Sequence, residues 1–289
     1  MHEPVLKDEA LHYLNVKKDF KVIDSTLGYG GHTLFFLENG AKVLSIEADQ
    51  SMIDLASERL KKYIGNELTI VHGNFRNIDK IAKDNDFSDA DAILADLGIS
   101  SVHLDSSKRG FSFKDESQTL DMRLDVGSQS VTASDLLNAL REDQLRRMFG
   151  DVMGGLAVTH LAREVVSKRI VKKFETVGDF LEVVRKVMGR HGHLNEATLP
   201  FLALRIAVNI EIDSLKEYIP NAFSVLKSTG RLGIISFHSL EDQVVKHKFV
   251  EFVKSGEGIL IDDIIVPKDD EITKNPRSRS AKFRVIEKK

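Results

Sequence analysis

Short apolar runs alternate with helical patterns through the first hundred residues, and then the alternation stops. "FKVID" (20–24), "AKVLSIEAD" (41–49), "LTIVHG" (68–73) and "DAILADLG" (91–98) each read as a buried strand. After the second, "MIDLASERLKKYIG" places apolar residues at helical spacing and stops at Gly65. Strand–helix alternation of this kind builds a parallel sheet with helices on both faces. From about residue 106 to Ala203 almost no strand signal remains. "TASDLLNALREDQLRRMFG", "GLAVTHLAREVVSKRI" and "TVGDFLEVVRKVMG" read instead as amphipathic helices with caps or glycine stops. Strands return at "GRLGIISF" (230–237), "GILIDDIIV" (258–266) and "AKFRVIEK" (281–288). The pattern predicts an α/β chain in which residues 1–105 and 204–289 form a seven-stranded doubly wound sheet. Residues 106–203 form an all-helical insertion of about small-domain size.

Composition narrows the function. Hydrophobic residues make up 42% of the chain, enough for a sizeable core. No apolar run reaches the roughly 18 residues of a membrane helix. The start, "MHEPVLKDEA", lacks the basic-then-apolar order of a secretion signal, so a cytoplasmic protein without a membrane partner is expected. Cysteine is absent, which removes thiol nucleophiles, cysteine zinc sites and iron–sulfur clusters together. Net charge is −3, yet Lys274 to Lys289 holds seven Lys or Arg against one acid. Such a tail reads as a local phosphate contact or as a solvated terminus.

"VIDSTLGYGGHT" (22–33) packs three glycines into four positions directly after the first strand. Glycine weakens strands and helices, so a cluster here points to tight turning or to backbone pressed close to a ligand. In an open parallel sheet ligands sit beyond the carboxyl ends of the strands, near the switch in strand order. Glu47 ends the next strand, where a carboxylate accepts hydrogen bonds from a ribose. An adenosine-type cofactor follows. The dinucleotide fingerprint G-x-G-x-x-G fails, because its last position, counted from Gly28, is Thr33. An acid, Asp24, precedes the glycines instead and suits a cofactor with a positive amine and sulfonium, favouring S-adenosylmethionine (SAM) over NAD. Asp96 ends the fourth strand in "ILADLGISS", where it either orients an amine or caps the following turn.

"HEPVL", "GYGGHT", "DLGISS", "RGFSF", "LDMRLD", "SFHSLED" and "NPRSRSAKFRV" occur in this order between residues 2 and 285. Together they resemble the bacterial MraW/RsmH family. The resemblance implies a Rossmann-like class I SAM-methyltransferase sheet with an inserted helical domain for substrate recognition. It also implies SAM-dependent methylation of the exocyclic N4 of a cytidine in the decoding region of small-subunit (16S) ribosomal RNA. The partner is then that RNA or the ribosomal subunit. Carried over by position, the cofactor loop falls on Gly30, Gly31 and His32. The ribose acid is Glu47, where the family usually has Asp. An aromatic beside the adenine falls on Phe75, the "DLG" acid on Asp96, and a usual glutamine position on His103. The insertion departs further: "FGDVMGG" and "NEATLPFLALRIAVN" carry Asp151, Leu199 and Leu202 where the family has other residues. Three readings stay open here: the same target, another RNA target, or a relative that binds RNA without catalysis.

The missing cysteine bears on chemistry. Methylation at carbon 5 of cytosine uses a thiol that adds to the ring, and radical SAM chemistry uses a cysteine-bound cluster. Both are excluded. An exocyclic amine can attack a sulfonium methyl directly, which makes alignment the main task and needs no metal. Asp96 is the expected catalytic residue, accepting a hydrogen bond near the reacting centre. Phe111 and Phe113, with Lys108 and Arg109, are candidates for gripping a splayed base, and the two phenylalanines read equally as anchors of the insertion to the core. Arg277, Arg279 and Arg284 are candidates for phosphate contact. "SFHSLED" (236–242) reads as a strand end leading into a helix rather than a triad, and "HGH" (191–193) reads as a polar loop rather than a metal pair.

Overall fold

The computed structural model describes residues 4–105, 107–189 and 196–289. The chain folds as two compact units, Met1–Gly98 with Ile212–Lys289, and Ile99–Glu211. Loss of strand signal alone pointed to 105/106 and 203/204. The second of these cuts across a helix, Thr198–Asn209, which belongs whole to the second unit.

The first unit begins with α1 (Lys7–Tyr13), β1 (Lys21–Asp24), α2 (Gly31–Glu38), β2 (Lys42–Glu47), α3 (Gln50–Leu60), β3 (Leu68–His72), α4 (Ile78–Asp84) and β4 (Ala90–Asp96). The second unit contains α5 (Ser101–Asp105), α6 (Ala133–Ala139), α7 (Glu142–Gly150), α8 (Leu156–Val171), α9 (Val177–Met188) and α10 (Thr198–Asn209). The chain then forms α11 (Glu211–Val225), β5 (Leu226–Ser236), α12 (Ser239–Lys254), β6 (Gly258–Leu260), α13 (Asp269–Lys274) and β7 (Lys282–Lys288).

The seven strands lie in the order β3-β2-β1-β4-β5-β7-β6. β1 to β5 run parallel, whereas β7 is antiparallel to both β5 and β6, so the sheet is mixed rather than all parallel. Apolar pattern reports burial and not direction, which is why the sequence could not distinguish the two. β6 is only three residues long: Asp262 and Asp263 interrupt "GILIDDIIV", and Ile265 returns to the sheet through a single bridge to Phe283. β5 starts earlier than expected, at Leu226, with a register shift opposite Ala90 and Ala92.

Alternation along the strands explains the two covered faces. Ile23, Leu44, Ile93, Ile234 and Ile286 point into one cluster, with Leu215, Tyr218, Ile219 and Phe223 of α11 and Val245 and Phe249 of α12. Their neighbours Val22, Val43, Leu94, Ile235 and Val285 point into the other, with Leu14, Phe36 of α2, and Ala56 and Leu60 of α3. A period of two with apolar residues on both faces is what a sheet buried on both sides demands.

The second unit has its own core, centred on Phe180. Phe149 stacks on it at 6.1 Å between centroids, Phe174 meets it edge-on at 6.3 Å, and Phe201 tilts against it at 5.3 Å. The long amphipathic stretch from Thr132 breaks into α6 and α7, because Leu140 is extended and Arg141 starts a new helix with a capping box to Gln144. α6 and α9 begin with capping boxes of their own, Thr132 with Asp135 and Thr176 with Asp179.

Candidate functional site

The switch in strand order lies between β1 and β4. The chain runs from β1 outward to β2 and β3 on one side, then crosses back from β3 to β4 and on to β5 on the other, leaving a crevice beyond the carboxyl ends of β1 and β4. Asp24 and Asp96 are the last residues of those two strands. The loop between β1 and α2 turns through Gly28 and Gly30, with φ of 50° and 76°. At Gly30 a Cβ would sit 2.7 Å from Leu60 Cδ1, so both backbone angle and space require glycine. At Gly31 a Cβ would stand 3.1 Å from Pro4 Cγ.

Asp24 is buried to 1% exposure. Its carboxylate accepts from the Thr33 hydroxyl at 2.6 Å and from the Thr26 amide at 3.2 Å. The Thr33 and Ser45 hydroxyls lie 2.8 Å apart. This explains why a threonine stands where the dinucleotide fingerprint would put glycine: its hydroxyl satisfies a buried carboxylate. Burial pushes the Asp24 carboxyl above its ordinary value. Nearby His32 and the bonds from Thr33 and Thr26 oppose the rise, and Asp96 adds to it.

His32, in the first turn of α2, is buried and brings its Nε2 to 3.5 Å from Asp96 Oδ2. Its two ring nitrogens and Asp96 Oδ1 are buried without a hydrogen-bond partner among the described residues. Buried polar atoms are normally paired, so three orphans at one crevice point to a polar ligand that completes them. The Asp96 amide donates to Thr26 Oγ1 at 2.7 Å, which ties the end of β4 to the loop after β1.

Glu47 is engaged by backbone. Its Oε2 accepts from Gly28 N–H at 2.8 Å, and its Oε1 accepts from the amides of Ala48 and Asp49, each at 2.9 Å. The carboxylate is thereby fixed beside the glycine loop, and a ribose would share it with those amides. Phe75 opens a single 3-10 turn, Phe75–Asn77, after β3. Its ring meets the edge of Tyr218 at 4.9 Å between centroids. Tyr218, in α11, is fully buried, and its hydroxyl lies 2.8 Å from Ser25 Oγ. Burial pushes the Tyr218 phenol up, so the group is neutral and able to donate.

The structure thus brings Gly30, Gly31, His32, Glu47 and Asp96 to one crevice, with Phe75 tied to the same loop through Tyr218 and Ser25. His103 belongs to the second unit. There it is buried, its Nδ1 accepts from the Ser100 amide at 3.1 Å, and its ring tilts against Phe111 at 5.4 Å. Sequence reading missed Tyr218, Ser25 and Thr26. A tyrosine inside a helical pattern and a Ser-Thr pair beside glycines carry no signal of their partners.

Several other candidates fall to different roles. Phe111 is buried in the second unit's core and is not presented to a base, whereas Phe113 is half-buried and packs edge-on against Phe201 at 5.5 Å. The Arg109 guanidinium donates to the carbonyls of Arg123 and Leu124 and lies over the Phe111 ring. Lys108 is exposed. Arg284 is committed to Asp242 at 2.7 Å and to the Asp263 carbonyl at 2.9 Å, which withdraws it from phosphate contact. Arg277 and Arg279 are exposed on the turn after α13. His238 is the N-cap of α12, closed by a capping box to Glu241, and Ser239 is the first helical residue, so "SFHSLED" is a helix start. "HGH" at 191–193 lies outside the described residues.

No helix among the described residues is long and apolar enough to cross a membrane. A sequence model of the MraW methylase family matches residues 1–289. A ribosomal RNA small subunit methyltransferase H from Dictyoglomus thermophilum is 39% identical over 294 residues, covering 100% of this chain and 97% of its own. The protein of the same name from Bacteroides fragilis is 39% identical over 311 residues, with 100% and 97% covered. That from Chlamydia caviae is 40% identical over 294 residues, with 99% and 97% covered. An rRNA methylase from Streptococcus thermophilus, a solved structure, aligns over 100% of this chain and 98% of its own, at 12% identity and a TM-score of 0.48. By the full-length family match and by identity near 40% over entire chains, the protein belongs to the MraW methylase family.

Proposed function

We propose that the protein is a SAM-dependent methyltransferase that modifies small-subunit ribosomal RNA, and that its target is the exocyclic N4 of a cytidine in the decoding region. The observation that carries the reading is the convergence of Asp24, His32 and Asp96 at the switch point, with three buried polar atoms of His32 and Asp96 lacking partners among the described residues. Relatives of about 39% identity carry the name of a small-subunit rRNA methyltransferase along their whole length, which supports the substrate class. Acting on a ribosomal substrate, the protein would work in the cytoplasm.

SAM, when bound, supplies an electrophilic methyl group on a positively charged sulfur. The residues present suit it. Asp24 and Asp96 set a negative field where an amine and a sulfonium would lie, Glu47 offers acceptors for a ribose, and Phe75 offers a ring face for an adenine. Asp96 accepts a hydrogen bond from the substrate amine, turning the amine's lone pair toward the methyl carbon. The same carboxylate is then placed to take the proton that the methylated amine sheds. The chain has no cysteine, so the route through a covalent ring adduct is closed to it, and direct attack by an amine remains. Arg277 and Arg279 supply positive charge for the RNA backbone, and the unit 99–211 serves substrate recognition.

The test is incubation with isotopically labelled SAM and small subunits from cells lacking the enzyme, followed by nucleoside analysis. N4-methylcytidine at one position is the expected product. Label in another nucleoside, or none, refutes the assignment. Asp96→Ala is expected to abolish transfer while the far-UV circular dichroism stays unchanged, and full turnover in that variant removes Asp96 from the mechanism.

A further inference from the structure

Tyr218 stands outside the crevice, yet it touches both halves of what would hold an adenosyl group. Its hydroxyl pairs with Ser25, the residue after Asp24 at the start of the glycine loop. Its ring edge supports Phe75, on the turn after β3. One turn further along α11, Asn221 Nδ2 donates to the Arg76 carbonyl at 2.8 Å, holding the same turn at a second point. Ser25 is in turn fixed by its amide to the Leu94 carbonyl of β4 at 2.8 Å. Ser25 and Phe75 are fifty residues apart in sequence and reach Tyr218 from different strand ends. Both Tyr218 and Ser25 are buried, so the bond between them is made in a dry environment where an unmade one would be costly.

We infer that Tyr218 is a positioning residue for the cofactor's adenosine half: it fixes the Phe75 ring and the start of the glycine loop in the geometry that receives the base and the ribose. The inference rests on the reading of the crevice as a SAM site, and goes beyond it by assigning a role to a residue that does not line it. Its physical basis is preorganisation. A ring already held at the right angle loses no rotamer freedom when a base stacks on it, and a loop already pinned need not be ordered by the ligand. Edge-on aromatic support of this kind is specific in geometry, since ring pairs prefer the T-shaped arrangement seen here, at 80° between planes.

The experiment measures S-adenosylhomocysteine (SAH) binding by calorimetry, and kcat and KM for SAM, in the full chain. Phe75→Ala is expected to weaken SAH about tenfold, the scale of one lost aromatic–base stack. Tyr218→Leu is expected to weaken it about fivefold and to raise KM for SAM by a similar factor, with kcat at saturating SAM close to that of the parent. In the Phe75→Ala background Tyr218→Leu is expected to weaken SAH no more than Tyr218→Phe does, because the tyrosine ring acts only through Phe75 while its hydroxyl acts through Ser25. Tyr218→Phe keeps the ring and loses only the hydroxyl. It and Ser25→Ala are each expected to weaken SAH by about threefold, the scale of one neutral hydrogen bond, and not to add to each other. These two milder changes keep the inference testable even where Tyr218→Leu does not fold. A fall in kcat with KM unchanged, a larger loss from Tyr218→Leu than from Tyr218→Phe in the Phe75→Ala background, or additive losses from Tyr218→Phe and Ser25→Ala shows a general structural role and overturns the inference. Unchanged SAH affinity in Tyr218→Phe and Ser25→Ala overturns it as well. Unchanged affinity in Phe75→Ala overturns both the inference and the placement of the adenine, which separates the two failures.

Discussion

Replacing Asp24 by asparagine is expected to stabilise the ligand-free protein at neutral pH while impairing cofactor binding. The side chains are nearly the same shape. Asparagine keeps an acceptor for the Thr26 amide, and its NH2 can donate to Thr33, whose hydroxyl then turns to Ser45 2.8 Å away. What changes is charge. Burial lifts the Asp24 carboxyl above its reference value of 3.8. His32 pulls the other way, as do the bonds from Thr33 and Thr26, and Asp96 pushes in the same direction as burial. A carboxyl whose value is raised on folding binds more protons folded than unfolded across the interval between the two values. Stability therefore falls as pH rises through that interval, by about 1.4 kcal/mol for each pH unit crossed, and stays low above it. The asparagine side chain does not titrate, so the variant's advantage over the parent opens across the interval and then levels off. For a chain of this size each 1.4 kcal/mol corresponds to about 2–3 °C in melting temperature. Scanning calorimetry of both proteins between pH 4 and pH 8 is the assay. His32 and Asp96 are present in both proteins, so what they add to the comparison is their opposed coupling to the Asp24 charge, which only the parent has. A melting difference that is the same at pH 4 and pH 8, or a variant less stable than the parent at pH 8, refutes the reasoning. SAM is expected to raise the melting temperature of the variant by less than it raises that of the parent, because the buried negative charge that attracts a cationic ligand is gone.

Three further outcomes are expected. Gly30→Ala forces a side chain into a left-handed backbone and against Leu60, costing about 1–2 kcal/mol of stability and weakening SAH binding in the same calorimetric assay. Phe180→Ala removes the ring at the centre of the second unit's aromatic cluster and is expected to cost about 3–5 kcal/mol, read as faster hydrogen exchange in residues 99–211. Arg277→Ala with Arg279→Ala is expected to flatten the dependence of RNA affinity on salt by one to two ions, and an unchanged slope places the RNA backbone elsewhere.

Much of the sheet was legible because both of its faces are buried. Strands such as "AILAD" and "KVLSIE" carry four consecutive buried residues each, nearly all of them apolar. The limits of legibility have physical causes. Direction is invisible to apolar pattern, so the reversed β7 could not be foreseen. Paired aspartates at 262 and 263 end a strand that hydrophobicity would have carried to Val266, because the next residues leave the ladder and return only at Ile265. In the site, Asp24, Glu47 and Asp96 stood out because each sits at the carboxyl end of a strand, where ligands of an open parallel sheet bind. Tyr218 did not, because "KEYIP" satisfies a helical core pattern and the Ser25 hydroxyl it meets is 193 residues away. Phe111 and Phe113 stayed open between two readings for the converse reason: an aromatic beside basic residues looks the same in sequence whether it faces a base or a core.

The core strand β4 ends at Asp96, and the strand that pairs with its far edge, β5, begins only at Leu226. A ribosome making this chain adds about 5–20 residues each second. For something on the order of ten seconds, therefore, β4 emerges with β1 on one side and an open hydrogen-bonding edge on the other. Residues 99–211, which carry a buried core of their own, are synthesised within that interval. An open, apolar edge is a template for wrong pairing. Nascent chains of this protein are thus expected to be most prone to aggregation, and most in need of chaperone cover, when translation stalls between the codons for residues 97 and 226.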